Sequence, residues 1–197
     1  MKSIITIGRQ FGSGGREIGL KLSQELGYAF YDKAVLAEAA KKLGVCEALL
    51  EQSSESSVGA FIYNVVLNNR EESFEDKLAK QEFDYLRKQV KKGPCVIIGR
   101  CASYQFRENP GLFSIFITAP MEQRVERILS LKETYGADNE KAARQMIQHT
   151  DKKRANYYNY YTNQRWDDMN QYHLILDSTL LGIDGTVDAL AQFIRNT

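Results

Sequence analysis

The feature that most constrains this chain is a strand, a glycine-rich loop and a helix in its first 26 residues. Ile4-Ile5-Thr6-Ile7 reads as a short buried strand. Gly8-Arg9-Gln10-Phe11-Gly12-Ser13-Gly14-Gly15-Arg16-Glu17 follows, and an amphipathic helix opens at residue 16, with Ile18, Leu22 and Leu26 on one face. Glycines allow positive φ, so successive backbone amides can converge on one anion. The helix start adds a partial positive charge. The alternative for such a loop is a turn that only lets helix and strand pack closely.

A strict phosphate loop carries Gly, four residues, then Gly-Lys-Ser/Thr. This chain departs from that pattern in every register. The lysine place falls on Gly15, and the hydroxyl place that normally meets magnesium falls near Glu17. Arg16, or Arg9 at the mouth of the loop, is the available cation; a guanidinium is always charged and forks onto phosphate oxygens.

The rest of the chain alternates strands with helices. Expected strands are 28–31, 95–98, 112–118 and 172–176. Expected helices are 33–43, 75–92, 120–133, 139–154 and 183–195, the fourth ending in Asp151-Lys152-Lys153-Arg154. Cys95-Val96-Ile97-Ile98 is apolar throughout, as in a strand covered on both faces. Such alternation gives a mainly parallel sheet, with ligands at the C-terminal strand ends. The loops at Gly8–Gly15, Asp32, Gly99-Arg100 and Ala119 therefore share one edge. Residues 45–92 read as a helical insertion within a single domain spanning 1–197.

Several side chains on that edge invite chemistry. Arg100, just past a buried strand, either clamps a phosphate or carboxylate or faces solvent. Asp32 either orients a hydroxyl or metal-bound water, or caps the helix at Lys33. Arg124, Arg127, Lys152, Lys153 and Arg154 supply mobile cations of the kind phosphoryl transfer needs, or lie on solvated faces. Tyr157-Tyr158 and Tyr160-Tyr161 fit helix packing better than base stacking.

Composition excludes some classes. The 197 residues carry a net charge of +1, with no basic field for nucleic acid. No apolar run reaches bilayer length. The two histidines lie far apart, and the three cysteines have no metal spacing. No signal peptide is visible after Met-Lys, so reduced thiols and a cytoplasmic location are expected.

The opening Ile-Thr-Ile-Gly-Arg-Gln-Phe-Gly-Ser-Gly-Gly-Arg-Glu-Ile-Gly, the Tyr-Asp-Lys at 31–33, the Val-Ile-Ile-Gly-Arg-Cys-Ala at 96–102 and the Leu-Ile-Leu-Asp-Ser-Thr-Leu-Leu-Gly-Ile-Asp at 174–184 resemble the cytidylate kinase-like family. The resemblance implies a three-layer α/β fold of the P-loop NTPase and nucleoside monophosphate kinase type, with a helical acceptor-binding insertion at 45–92 and a lid at 124–165. It implies an ATP- and Mg2+-dependent phosphotransferase that moves the γ-phosphate to a small acceptor such as CMP or dCMP. Gly8, Arg9, Gly12, Ser13, Gly14, Gly15, Arg16 and Glu17 would hold the nucleotide. Asp32 and Arg100 would meet the acceptor, and Arg16, Arg127 and Arg154 would serve catalysis. The protein ligands expected are a nucleotide and a small acceptor, with self-association left open and neither nucleic acid nor membrane. Two departures from true cytidylate kinases are the missing lysine and Ile98, which stands where those enzymes place an acid before Gly-Arg. The competing expectations are a nucleotide-binding regulatory module without catalysis and a kinase for another small metabolite.

Overall fold

A computed structural model describes residues 3–42 and 74–196. In chain order the elements are β1 (Ile4–Arg9), α1 (Gly15–Leu26), β2 (Ala29–Tyr31), α2 (Lys33–Lys42), α3 (Phe74–Val90), β3 (Cys95–Ile98), α4 (Ala102–Gln105), β4 (Leu112–Thr118), α5 (Met121–Ser130), α6 (Lys132–Tyr135), α7 (Glu140–Thr162), a 3-10 turn (Met169–Gln171), β5 (Leu174–Asp177) and α8 (Gly182–Arg195). They divide into two compact units. One comprises the chain up to Asp32 together with Gly93 onward; the other is Lys33–Lys92.

The first unit contains a sheet ordered β2-β3-β1-β4-β5, and every described pairing is parallel. β1 lies at its centre, with Ile4 opposite both Cys95 and Leu112. The apolar runs decide this placement, since a strand flanked on both sides and covered on both faces must be hydrophobic throughout. Ile5 and Ile7 of β1, Val96 and Ile98 of β3 and Ile115 and Ile117 of β4 pack with Ile18 and Leu22 of α1 and with Val187, Leu190 and Ile194 of α8. Burying each such side chain contributes roughly 1.5–3 kcal/mol. A second cluster joins α5 to α7 through Val125, Ile128, Ala143 and Ile147.

Register aligns the strand ends. Ile7 stands opposite Ile98, Arg9 opposite Ile117, Tyr31 opposite Ile97 and Thr118 opposite Asp177. Gly8–Gly15, Asp32, Gly99-Arg100 and Ala119 therefore emerge along one edge, as the alternation requires.

Three elements differ from their sequence reading. The helix expected to stop at residue 154 runs to Thr162 and ends where Asn163 adopts φ 55°. The charged group Asp151–Arg154 contains no helix breaker, and Tyr158 is buried and donates to Gln171 (2.8 Å). The helix expected to reach 133 stops at Ser130, and the separate turn α6 ends at Gly136, φ 70°. The last strand starts two residues late: the His173 ring Nδ1, rather than a backbone carbonyl, accepts the Ser114 N–H (3.0 Å).

In the second unit, α3 buries Ala79, Phe83 and Leu86 at the i, i+4, i+7 spacing of one helix face. Most of the insertion expected at 45–92, including the Ser53–Ser57 patch, Phe61, Val65 and Val66, lies outside the described residues, as does Cys46.

Candidate phosphate site at the C-terminal edge of the sheet

The loop after β1 takes its shape from two left-handed glycines, Gly12 (φ 83°) and Gly14 (φ 77°). Gly14 is the N-cap of α1, so the amides of Gly15, Arg16 and Glu17 have no carbonyl one turn behind them. A Cβ on Gly14 would lie 2.4 Å from Ile183 Cδ1, and one on Gly15 would lie 2.6 Å from Arg9 Cβ. The loop therefore tolerates no side chain at either place. Gly8 sits lower, where a Cβ would meet Phe116 at 2.6 Å.

Short side chains hold the loop in that shape. Ser13, buried, donates to Gln10 O (2.8 Å). Ser178, in the turn after β5, donates to Ser13 O (2.7 Å). Gln10 Oε1 accepts the Ala119 N–H (3.2 Å).

The helices that follow β4 grip the loop from the other side. One oxygen of Asp151 accepts the Phe11 N–H (2.7 Å), and the other accepts from Arg124 (2.7 Å). Arg124 also donates to Phe11 O (3.4 Å). Arg154 donates to Arg9 O (2.9 Å) and lies over the Phe11 ring, 5.4 Å from its centroid. Arg124 is thus a buried structural clamp. Its partner Asp151 has no individual signal in the sequence, where it reads as one charge in a run.

The expected cations divide by their partners. Arg127 lies beside the loop, its Cζ 3.6 Å from a Cβ placed on Gly14, and pairs with Glu17. Glu17 also meets Lys21 at 3.4 Å. Arg16 forks onto a single oxygen of Asp32, from Nε (2.8 Å) and from a terminal nitrogen (2.7 Å). Arg100 and Arg154 both lie near Arg9. Burial pushes the Arg9 guanidinium down to about 9; repulsion from Arg154 and then Arg100 adds to this, and Asp32 and Asp151 oppose it. Burial likewise lowers Arg154, against the pull of Asp151 and Tyr135. Arg9 remains protonated at neutral pH, so its depression marks a guanidinium held out of water first, with two neighbouring cations adding to the cost. Its buried Nε makes no hydrogen bond among the described residues. A terminal nitrogen of Arg9 lies over Gly99, only 2.3 Å from where a Cβ would sit, so Gly99 is the floor on which this side chain rests.

Arg100 and Cys101 continue the left-handed turn begun by Gly99, with φ 55° and 54° after 69°. Left-handed conformation costs a residue with a Cβ roughly 1–2 kcal/mol. The turn sets the Arg100 guanidinium 5.5 Å from the Tyr157 ring centroid.

A loop of this type usually holds magnesium through a helix-start hydroxyl and a strand-end aspartate. The residues here do not fit that role. The helix starts Gly15-Arg16, Ser13 is buried against Gln10 O, and Asp32 is engaged by Arg16.

A glycine loop capping a helix after the central strand of a parallel sheet gives the chain a three-layer α/β fold of the P-loop NTPase and nucleoside monophosphate kinase type. The chain belongs to the cytidylate kinase-like family, whose model matches residues 4–180. No curated protein sequence matches it. Among solved structures it is similar to an uncharacterized protein from Eubacterium ventriosum, at 26% identity, TM-score 0.76 and full coverage of both chains. It shares its fold with a shikimate kinase from Bacteroides thetaiotaomicron (12% identity, TM-score 0.56, 98% of each chain). It also shares it with a gluconokinase from Sinorhizobium meliloti (13% identity, TM-score 0.50, 99% of this chain and 95% of that one). Among the described residues no helix is long and apolar enough to cross a membrane.

Proposed function

We propose that this protein transfers the γ-phosphate of ATP to a small acceptor that carries its own anionic group, with CMP or dCMP the first acceptor to test. The observation that carries the reading is the adjacency of two positive sites on one sheet edge. The first is the loop, with the amides of Gly15, Arg16 and Glu17 and the Arg127 guanidinium beside Gly14. It suits the donor polyphosphate. The second is Arg9 with Arg100 and Arg154, whose repulsion of the buried Arg9 an incoming phosphate or carboxylate relieves. It suits the acceptor's anion. Transfer between two such sites consists mainly of positioning and charge stabilisation. Gly8, Gly12, Ser13, Gly14 and Gly15 shape the donor cradle, Glu17 orients Arg127, and Asp32 stands at the acceptor side with Arg16.

A second reading has its own observation. Arg127 and Arg16 are both committed to carboxylates, which favours a module that binds nucleotide without turning it over.

Incubating the protein with ATP, magnesium and a panel of nucleoside monophosphates and small hydroxy acids, and following ADP release, separates the two. Turnover on one acceptor, reduced at least tenfold by Arg100→Ala and by Arg127→Ala, supports the kinase. ATP binding by calorimetry with no turnover on any acceptor supports the module, and absence of both rejects the two readings together.

A further inference from the structure

We propose that the Arg16–Asp32 ion pair stands in place of a protein-held divalent cation, so that this chain binds the donor polyphosphate through its loop amides and guanidinium groups without one. The inference rests on reading the loop as a polyphosphate site.

In a loop of this type two protein atoms reach the metal: a hydroxyl at the helix start and a carboxylate at a strand end. Arg16, the second residue of α1, brings a guanidinium to the helix start. Asp32 follows β2 directly, at the strand-end position. Rather than standing apart with a cation between them, these two positions are joined to each other. Both Arg16 donors converge on Oδ2 of Asp32 at 2.7–2.8 Å. The Asp32 side chain is only 5% exposed, whereas that of Arg16 is 62% exposed. The acid is thus sealed under an arginine whose outer edge stays at the mouth of the loop. A divalent ion that binds at Oδ2 must displace a charge-assisted, forked contact from a largely buried carboxylate.

The other acids bordering the loop follow the same rule. Glu17 is held by Arg127 and Lys21. Asp151 is held by Arg124 and by the Phe11 amide. Among the described residues Asp32, Glu17 and Asp151 are each answered by an arginine. Meanwhile Arg100 and Arg154 both lie near enough to Arg9 to repel it, so further guanidinium charge stands on the same edge. Charge that a metal ordinarily supplies is already built into the side chains.

The test has two arms. In the first, ATP and inorganic tripolyphosphate are titrated calorimetrically into the protein in excess EDTA and again in saturating Mg2+. The expected dissociation constants agree within about threefold, and tightening by tenfold or more in magnesium overturns the proposal. Arg16→Ser, which restores a hydroxyl and uncovers Asp32, is expected to create a magnesium dependence of about tenfold. The second arm needs no polyphosphate: Mn2+ is titrated into the wild-type protein and its free spin-resonance signal followed. Unchanged free Mn2+ supports the proposal. Stoichiometric binding that disappears in Asp32→Asn overturns it. If neither polyphosphate binds under any condition, the phosphotransfer reading fails, while the manganese arm still decides the role of the ion pair. That arm uses only wild-type protein for its supporting outcome, so a variant that fails to fold does not blunt it.

Discussion

The two flanks of the glycine loop carry similar numbers of arginines and use them in opposite ways. On the α5–α7 flank the cations are matched. Arg124 meets Asp151 and Arg127 meets Glu17, and the first pair reaches back to the loop backbone through Phe11. On the β1–β3 flank Arg9 is repelled by Arg100 and, from α7, by Arg154, and Asp32 is already taken by Arg16. Matched charges in a partly buried setting make a scaffold, because breaking either partner leaves a stranded ion. Charges of one sign held together without enough counter-charge make a binding site, because an anion lowers the energy of the whole group.

The comparison breaks most visibly if the scaffold is cut. Asp151→Ala leaves Arg124 buried without its acid and frees the Phe11 amide. Losing one partner of a buried pair costs about 3–5 kcal/mol. Denaturant unfolding should register that loss, with polyphosphate binding falling as the loop loosens. A loss under about 1 kcal/mol, within the range of an exposed pair, would show that the α7 flank is not a scaffold.

On the other flank the expected effect has the opposite character. Arg9→Met removes a desolvated cation, so the unliganded protein should be as stable as the wild type or more so. Anion binding should weaken by about 1.5–3 kcal/mol, the range of a hydrogen bond to a charged group, or roughly 10- to 150-fold. Thermal melts and calorimetry on the same variant read both. Lower stability with unchanged anion affinity would reverse the assignment of the two flanks.

The same arginine predicts a pH signature. Its folded value, about 9, lies well below that of a solvated guanidinium. As pH rises past 9 the folded chain releases this proton while the unfolded chain keeps it. The unfolded state then binds more protons, so this group raises stability as pH climbs above about 9 toward the range where a solvated guanidinium titrates. Anion binding favours the charged form and should weaken over the same rise. The wild-type profile minus that of Arg9→Met isolates the contribution, and a flat difference removes Arg9 from the site.

The fold was legible because it is written in local patterns. Apolar runs placed β3 and β4 to the residue, and the apolar face of Ile18, Leu22 and Leu26 placed α1 to within one residue. The chemistry of the edge was only half legible. Sequence shows which arginines the topology delivers, but their partners lie far along the chain: Glu17 is 110 residues from Arg127, and Asp151 is 27 from Arg124. Nothing local distinguishes Arg124, a clamp, from Arg127, beside the cradle, three residues later. The charged group at 151–154 looked like a helix end because polar runs often are solvated. In the fold it is a helix interior with Asp151 and Arg154 turned onto the loop.

The smallest expected effect is also the one that best separates shape from charge. Ser178 carries no charge and lies outside the glycine motif, yet its hydroxyl donates to Ser13 O at 2.7 Å and approaches Thr118 O at 3.3 Å. It ties the carbonyl just ahead of the two glycine amides to the ends of β4 and β5. Ser178→Ala removes one buried neutral hydrogen bond, worth about 1 kcal/mol in stability. If the cradle works through amides fixed in direction, polyphosphate affinity should fall several-fold while the Arg9 pH signature stays in place. If the arginines alone hold the anion, affinity should be unmoved. Calorimetry on this variant at neutral pH and near pH 9 gives both answers.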